Sequence, residues 1–218
     1  MKKITFSDPH RKKHFDFFRN MDQPHFNVTA NVDITVIQKI IKKLQLPFTP
    51  VMVYCIAATA NSIPAFRYRI RGEEVVEHEI VHPSFSVLPE VSEVFSFCYV
   101  DFQDDFYPFL KECNRRMEIV RKQPSFEDEP GRDDYLFLSS FPWFSFTGVM
   151  HPMHYNPVDS VPRIAWGKYF EENGKVKMPL TVQAHHAVVD GLHLGAFLQQ
   201  FQEKVEKADF LKKRGNRP

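Results

Sequence analysis

Cysteine is scarce in this 218-residue chain, which carries only Cys55, Cys98 and Cys113. The number is odd, no CxxC spacing occurs, and each sits in an apolar or helical pattern. This reads as three buried free thiols in a reducing compartment rather than a disulfide framework. Long apolar runs are also missing: none approaches the ~20 residues that span a bilayer. The start, MKKITFSDPHRKKHF, has charge without the apolar core of a secretory signal. A cytoplasmic protein with no membrane partner is expected. Charge of one sign is lacking too, since a formal net charge of +1 gives no basic field for nucleic acid and no acidic field for cations. Repeats, low-complexity tracts and Gly/Ser linkers are absent, so residues 1–218 are expected to form one domain with a substantial core.

What is present is ordinary globular composition, 43% hydrophobic and 25% charged, with an excess of phenylalanine at 22 copies. The core or a pocket should therefore be rich in aromatic surface. DITVIQKIIKKLQL predicts a helix capped by Asp33, with Val36, Ile37, Ile40, Ile41 and Leu44 on one stripe. TPVMVYCIAATANSI predicts a second, with Thr49 as N-cap and Pro50 at the first helical position. It is apolar nearly all round and should be deeply buried. The period then changes to two, and FRYRI, EVVEH, SFSVL and EVFSFCYV read as strands. DDFYPFLKECNRRMEIVRK reads as a helix that tolerates Pro108 in its first turns. An acidic loop spans Phe126–Asp134. YLFLSS, WFSFTGV and RIAWGKYFEE are further strand candidates, and Asn173-Gly174 turns the last into KVKMPLTVQAHH as a hairpin. A closing helix runs from about Leu192 to Lys207. Helices and strands that do not alternate as βαβ units predict an α+β layered sandwich.

The stretch VQAHHAVVDGLHLG, Val182–Gly195, carries the most chemistry. Strand alternation places Leu180, Val182, Ala184 and His186 on one face and Thr181, Gln183 and His185 on the other. His186 then lies on the apolar side, where burial favours the neutral ring. Asp190 also suits a helix N-cap, and His185 a structural histidine. His185, His186, His193 and Asp190 are all metal-ligand types, but the spacing matches no HExxH or Cys/His scheme, so no metal is assigned.

HHAVVDG has the HHxxxDG pattern of CoA-dependent acyltransferases, and its surroundings resemble the chloramphenicol acetyltransferase family. The likeness takes in HRKKHFDFF, FRYRI, IVHPSFSV, DDFYPFL, SSFPWFSFT, WGKYF and MPLTVQAHHAVVDGLHLG in the family's order, over nearly the whole chain. The resemblance implies a two-layer α/β sandwich, a mixed sheet with packed helices. It also implies a homotrimer whose active sites lie at subunit interfaces and a direct acetyl transfer from acetyl-CoA to a hydroxyl. By match to the family's motifs, His186 is the general base, its other ring nitrogen held by its own backbone carbonyl. Ser139 is the donor to the oxyanion. Asp190 is implied to pair with Arg11, and breaking such a pair from one side would damage activity mainly through structure. Phe17, Phe18, Phe26 and Phe126 match acceptor-pocket positions, and Trp143 and Tyr169 match positions beside the pantetheine arm.

Some positions depart from the family pattern. Ala165 stands where a threonine usually orders water, and Pro47 and Thr49 replace a lysine and a tyrosine that touch CoA. Val149 and His151 fall where apolar pocket walls are usual, with His151 and His154 read as surface-loop residues. These leave three readings: a chloramphenicol O-acetyltransferase, a same-fold acyltransferase with another hydroxyl or thiol acceptor, and a non-catalytic trimer that sequesters a drug. Retention of both His186 and Ser139 argues against the third, because binding alone needs neither.

Overall fold

A computed structural model describes residues 1–126, 131–154 and 159–211. The chain opens with β1 (Lys2–Ile4), α1 (Pro9–Arg19) and β2 (His25–Asp33), and continues through α2 (Thr35–Leu44) and α3 (Phe48–Asn61). A 3-10 turn (Pro64–Arg67) leads to β3 (Tyr68–Arg71), β4 (Glu74–Glu77), β5 (His82–Val87) and β6 (Ser96–Tyr99). Next come α4 (Phe106–Lys122), β7 (Tyr135–Phe141), β8 (Arg163–Gly167), β9 (Phe170–Glu172), β10 (Lys175–His185) and α5 (Gly191–Lys207). The central mixed sheet runs β2-β10-β8-β7-β5-β6, with β9 paired to β10, and a small second sheet runs β1-β4-β3. β5, β7 and β8 are parallel neighbours and the other pairs are antiparallel.

The helices gather on one face of the large sheet. Leu136 and Leu138 of β7, Ile164 and Trp166 of β8, and Leu180, Val182 and Ala184 of β10 point into a cluster shared with α3 and α5. α3 has no polar face to speak of, and ten of its residues are buried. On α5, Leu194, Phe197, Phe201 and Val205 repeat at helical spacing and are buried. All three cysteines are buried free thiols, and burial pushes the Cys55 thiol up to about 12. No helix among the described residues is long and apolar enough to cross a membrane.

Several local expectations are corrected. α3 starts at Phe48 with Pro47 as N-cap, so Pro50 is its third residue rather than its first. Its missing N–H is still one of the four without an intrahelical acceptor, so the shift costs nothing. Asp33 does accept from the Thr35 N–H and hydroxyl, at 3.0 and 2.6 Å, one residue before the assigned cap Ile34. On the α2 stripe Ile37 and Ile41 are buried, whereas Val36 and Leu44 are exposed. WFSFTGV is not a strand: the chain turns at Pro142-Trp143, and the following rings pack on Phe141 instead of joining a ladder. Of the acidic loop, residues 127–130 lie outside the described residues. β1, α1 and β2 have no clear sequence signal; in α1, HRKKHFDFF is mostly polar and fully buries only Phe15.

Gly167 closes β8 where two other segments converge. A Cβ there would lie 2.8 Å from the Pro179 ring and 3.0 Å from that of Phe146. Gly167→Ala is therefore expected to destabilise by about 1–3 kcal/mol through overpacking, a thermal midpoint several degrees lower. A midpoint within a degree of the parent would show that Phe146 yields freely.

Candidate active site

β10 is buried on both faces, since Thr181, Gln183 and His185 are as inaccessible as Leu180, Val182 and Ala184. Alternation therefore does not separate an apolar side from a polar one, and the expectation for the histidine pair is reversed. His185 is the deeply buried residue, whereas His186 lies beyond the strand, its side chain 24% exposed. The His186 N–H donates to the Pro24 carbonyl at 2.8 Å, which ties the turn after β10 to the start of β2.

His185 holds that turn from inside. Its Nδ1 accepts from the Ala187 N–H at 3.2 Å, so the proton sits on Nε2, which has no hydrogen-bond partner among the described residues. The His25 ring stands edge-on to it at 4.9 Å. Burial pushes the His185 imidazole down to about 3, with His25 adding to the shift. The unfolded chain takes up a proton near pH 6.5 that the folded chain refuses. Stability is therefore undiminished above that pH and falls as pH drops from 6.5 toward 3. Between pH 6.5 and 5 the loss is expected to be about 2 kcal/mol. Urea unfolding of the parent and of His185→Gln at both pH values checks this; equal slopes would remove His185 from the account.

The His186 ring stacks with Phe18 at 3.9 Å and with Phe26 at 4.4 Å between centroids. Phe17 stands edge-on to Phe18 at 5.1 Å and is largely exposed. His186 Nδ1 lies 3.2 Å from the Val189 carbonyl, which takes the part expected of the ring's own carbonyl. With the proton donated from Nδ1, the lone pair of Nε2 is free.

Asp190 is the N-cap of α5. Its carboxylate accepts from the Gly191 N–H at 2.6 Å, while His193 Nδ1 accepts from the Asp190 N–H at 2.9 Å, a reciprocal cap. The Gly191 N–H and the neighbouring histidines hold its carboxyl below the usual range, against the effect of burial. No ion pair joins Asp190 to Arg11 among the described residues, and the Asp190 side chain is 52% exposed. The expected direct, buried pair is therefore replaced. Arg11 donates to His14 Nδ1 at 2.9 Å and to the Val188 carbonyl at 3.2 Å. His14 Nε2 in turn faces Asp190 Oδ2 at 3.8 Å.

His14, His186 and Asp190 form the one three-membered group of metal-ligand types among the described residues. The Arg11 bond works against a cation there. It keeps the His14 proton on Nε2, the atom that faces the other two groups, and brings a positive charge beside it. Sequence reasoning missed His14, although its spacing from Arg11 and Phe18 puts all three on one face of α1.

The remaining candidates lie elsewhere. In register, Ser139 is level with Ala165 on β8, and Ala165 with Thr181 on β10. His186 lies five residues beyond Thr181, which separates it from Ser139 by roughly 15 Å or more at the usual strand rise and spacing. Ser139 points away from the helices, on the face shared with Phe137. Trp143 is exposed in the turn after β7, and Tyr169 lies beside Phe48 at 5.7 Å. Phe126 packs with Phe95 and Phe97 over β6, each at 5.4 Å. Val149 and His151 lie across the helix-free face: the Val149 carbonyl accepts from Asn27 at 2.6 Å, and the His151 N–H donates to Gln183 at 2.8 Å. His151 is thus packed on the sheet rather than held on a surface loop, whereas His154 is exposed. One chain therefore gathers His186 with Arg11, Phe17, Phe18, Phe26 and Asp190, and holds Ser139 apart from them.

A mixed sheet with helices on one face and a histidine turn after its longest strand is the fold of the CoA-dependent acyltransferases. A solved chloramphenicol acetyltransferase superposes with a TM-score of 0.82 at 23% identity, over 94% of this chain and all of that one. A probable dihydrolipoamide acetyltransferase from Listeria monocytogenes shares the fold at a TM-score of 0.68 and 16% identity, over 100% of this chain and 98% of that one. A family model described as chloramphenicol acetyltransferase matches residues 1–202. A chloramphenicol acetyltransferase of Klebsiella sp is 33% identical over 94% of this chain and 93% of its own, and one of Bacillus pumilus 30% identical over 91% of each. The chain belongs to the chloramphenicol acetyltransferase family.

Proposed function

We propose that the chain is a chloramphenicol O-acetyltransferase that takes its acetyl group from acetyl-CoA. The observation that carries the reading is the His186 imidazole, with Nδ1 committed to the Val189 carbonyl and Nε2 free beside two aromatic rings. Flat aromatic walls suit an aryl-bearing acceptor. Nε2 takes the proton of the acceptor hydroxyl as its oxygen attacks the thioester carbon. Ser139 donates to the resulting oxyanion, a contribution on the order of 3 kcal/mol to the barrier. Collapse of the tetrahedral intermediate expels the CoA sulfur, which recovers the proton from Nε2.

Ser139 of the same chain is too distant for this, so the donor is assigned to a neighbouring copy. A closed assembly, taken as a homotrimer, then brings the His186 group of one copy against Ser139 of the next. Phe126 is taken to line the acceptor pocket, and Trp143 and Tyr169 the pantetheine arm. The protein is taken as cytoplasmic, its three thiols buried and free.

The test is CoA release followed with a thiol reagent, with and without chloramphenicol, beside light scattering. Chloramphenicol-dependent release from a trimer is expected. Full activity from a monomer would sink the interface site. Acetyl-CoA binding without release would favour a second reading, another hydroxyl or thiol acceptor. One observation supports that reading: Ala165, fully buried beside Ser139, supplies a methyl where a hydroxyl could order water.

A further inference from the structure

We propose that His14 is a positioning residue for the transfer, linking Arg11 to Asp190 and setting the orientation of the His186 ring. The inference rests on the reading of His186 as the base. His14 lies at the middle of α1, its side chain 19% exposed, and meets four groups of the site at once. Arg11 donates to its Nδ1 at 2.9 Å, and its Nε2 faces Asp190 Oδ2 at 3.8 Å. Its ring packs on Phe18 at 4.7 Å and stands edge-on to His186 at 5.3 Å and 76°.

Two features make this more than packing. First, an imidazole is the shortest side chain that accepts at one ring atom while presenting an N–H at the other. Arg11 fixes which nitrogen accepts, so the N–H is directed to the Asp190 carboxylate. At 3.8 Å this is a charge–dipole contact rather than a hydrogen bond. The opposite Asp190 oxygen lies 4.0 Å from His186 Nδ1, so the carboxylate stands between the two histidines. Second, the site disfavours a charged His14: burial lowers its affinity for a proton and the Arg11 charge lowers it further, against the pull of Asp190. His14 also carries Phe18, whose ring covers the His186 imidazole. Without His14 the guanidinium is free to reach Asp190 directly and draw it from Nδ1, and the Phe18 stack loses its support.

The test compares His14→Phe, which keeps a ring against Phe18 but has no polar atom, with His14→Gln, which can accept from Arg11 and donate to Asp190. Three readouts apply: kcat and KM for chloramphenicol, thermal melting, and histidine ring nitrogen shifts by NMR. His14→Phe is expected to lower kcat about tenfold or more, with KM within about twofold of the parent and a near-native melt. It is also expected to convert His186 from one tautomer, Nδ1–H, to a mixture. His14→Gln should restore most of kcat and the single tautomer. Unchanged kcat and unchanged His186 shifts in His14→Phe would overturn the inference. So would a parallel fall of kcat, melting temperature and folded signal in both variants, which marks a structural role alone. The NMR readout needs no acceptor. If the parent shows no chloramphenicol turnover but the tautomer still depends on residue 14 in this way, the function reading fails and the positioning role stands.

Discussion

His186→Ala is expected to lower chloramphenicol-dependent CoA release by about 10²–10⁴-fold, the usual contribution of a positioned general base. An acceptor hydroxyl near pH 7 is a weak nucleophile until its proton is taken during attack. Among the described residues, the His186 imidazole offers a free nitrogen beside aromatic surface. Its neighbour cannot substitute. His185 is fully buried with its proton on the enclosed nitrogen, and its affinity for a second proton is depressed to about 3. The substitution should be tolerated by the fold, because the His186 side chain is one-quarter exposed and its fixed backbone contact is the N–H to Pro24, which alanine keeps. Steady-state kinetics and a melting curve on the same preparation check both halves. A well-folded variant that retains more than a tenth of the parent's turnover would remove His186 as the base.

A mixture of two inactive variants is expected to recover activity. Ser139→Ala should lose about 10²–10³-fold as an oxyanion donor is removed, and His186→Ala should be silent as above. Unfolded together in equal amounts and refolded, the two chains assort at random. A site that draws its histidine from one copy and its serine from the next is then intact about one time in four. Activity near a quarter of the parent level, from parents each below about 1%, is a gain that no single-chain site can give. The expectation follows from the strand register: Ser139 is level with Thr181, while His186 lies beyond the far end of β10. Mixed material no more active than its parents would place both groups in one chain's site and contradict that separation.

Much of this was legible in the chain. The apolar period of α5, the Asn173-Gly174 hairpin turn and the buried run of α3 each follow from local pattern, and each formed. Both turn residues have positive φ, 52° and 73°, as the tight hairpin requires. The N-cap role of Asp190 was readable because a capping side chain acts within three residues of itself. α1 was not readable, since Phe15 is its one fully buried residue and Phe18, partly buried against the core, also covers the site. WFSFTGV alternates like a strand, but the turn at Pro142 takes it away from any partner ladder.

The division has a physical basis. The sequence by itself determined what depends on neighbours along the chain: helices α2 to α5, the hairpin, the cap of α5, the thiols' burial and the motif that places the chain among acyltransferases. Tertiary structure decided whatever depends on two distant segments meeting. It buried both faces of β10, so His185 rather than His186 became the enclosed histidine, and brought the Val189 carbonyl to His186 Nδ1. It also set His14 between Arg11 and Asp190. Last, it held Ser139 and His186 apart, because strand register fixes every distance across a sheet and no local pattern encodes it.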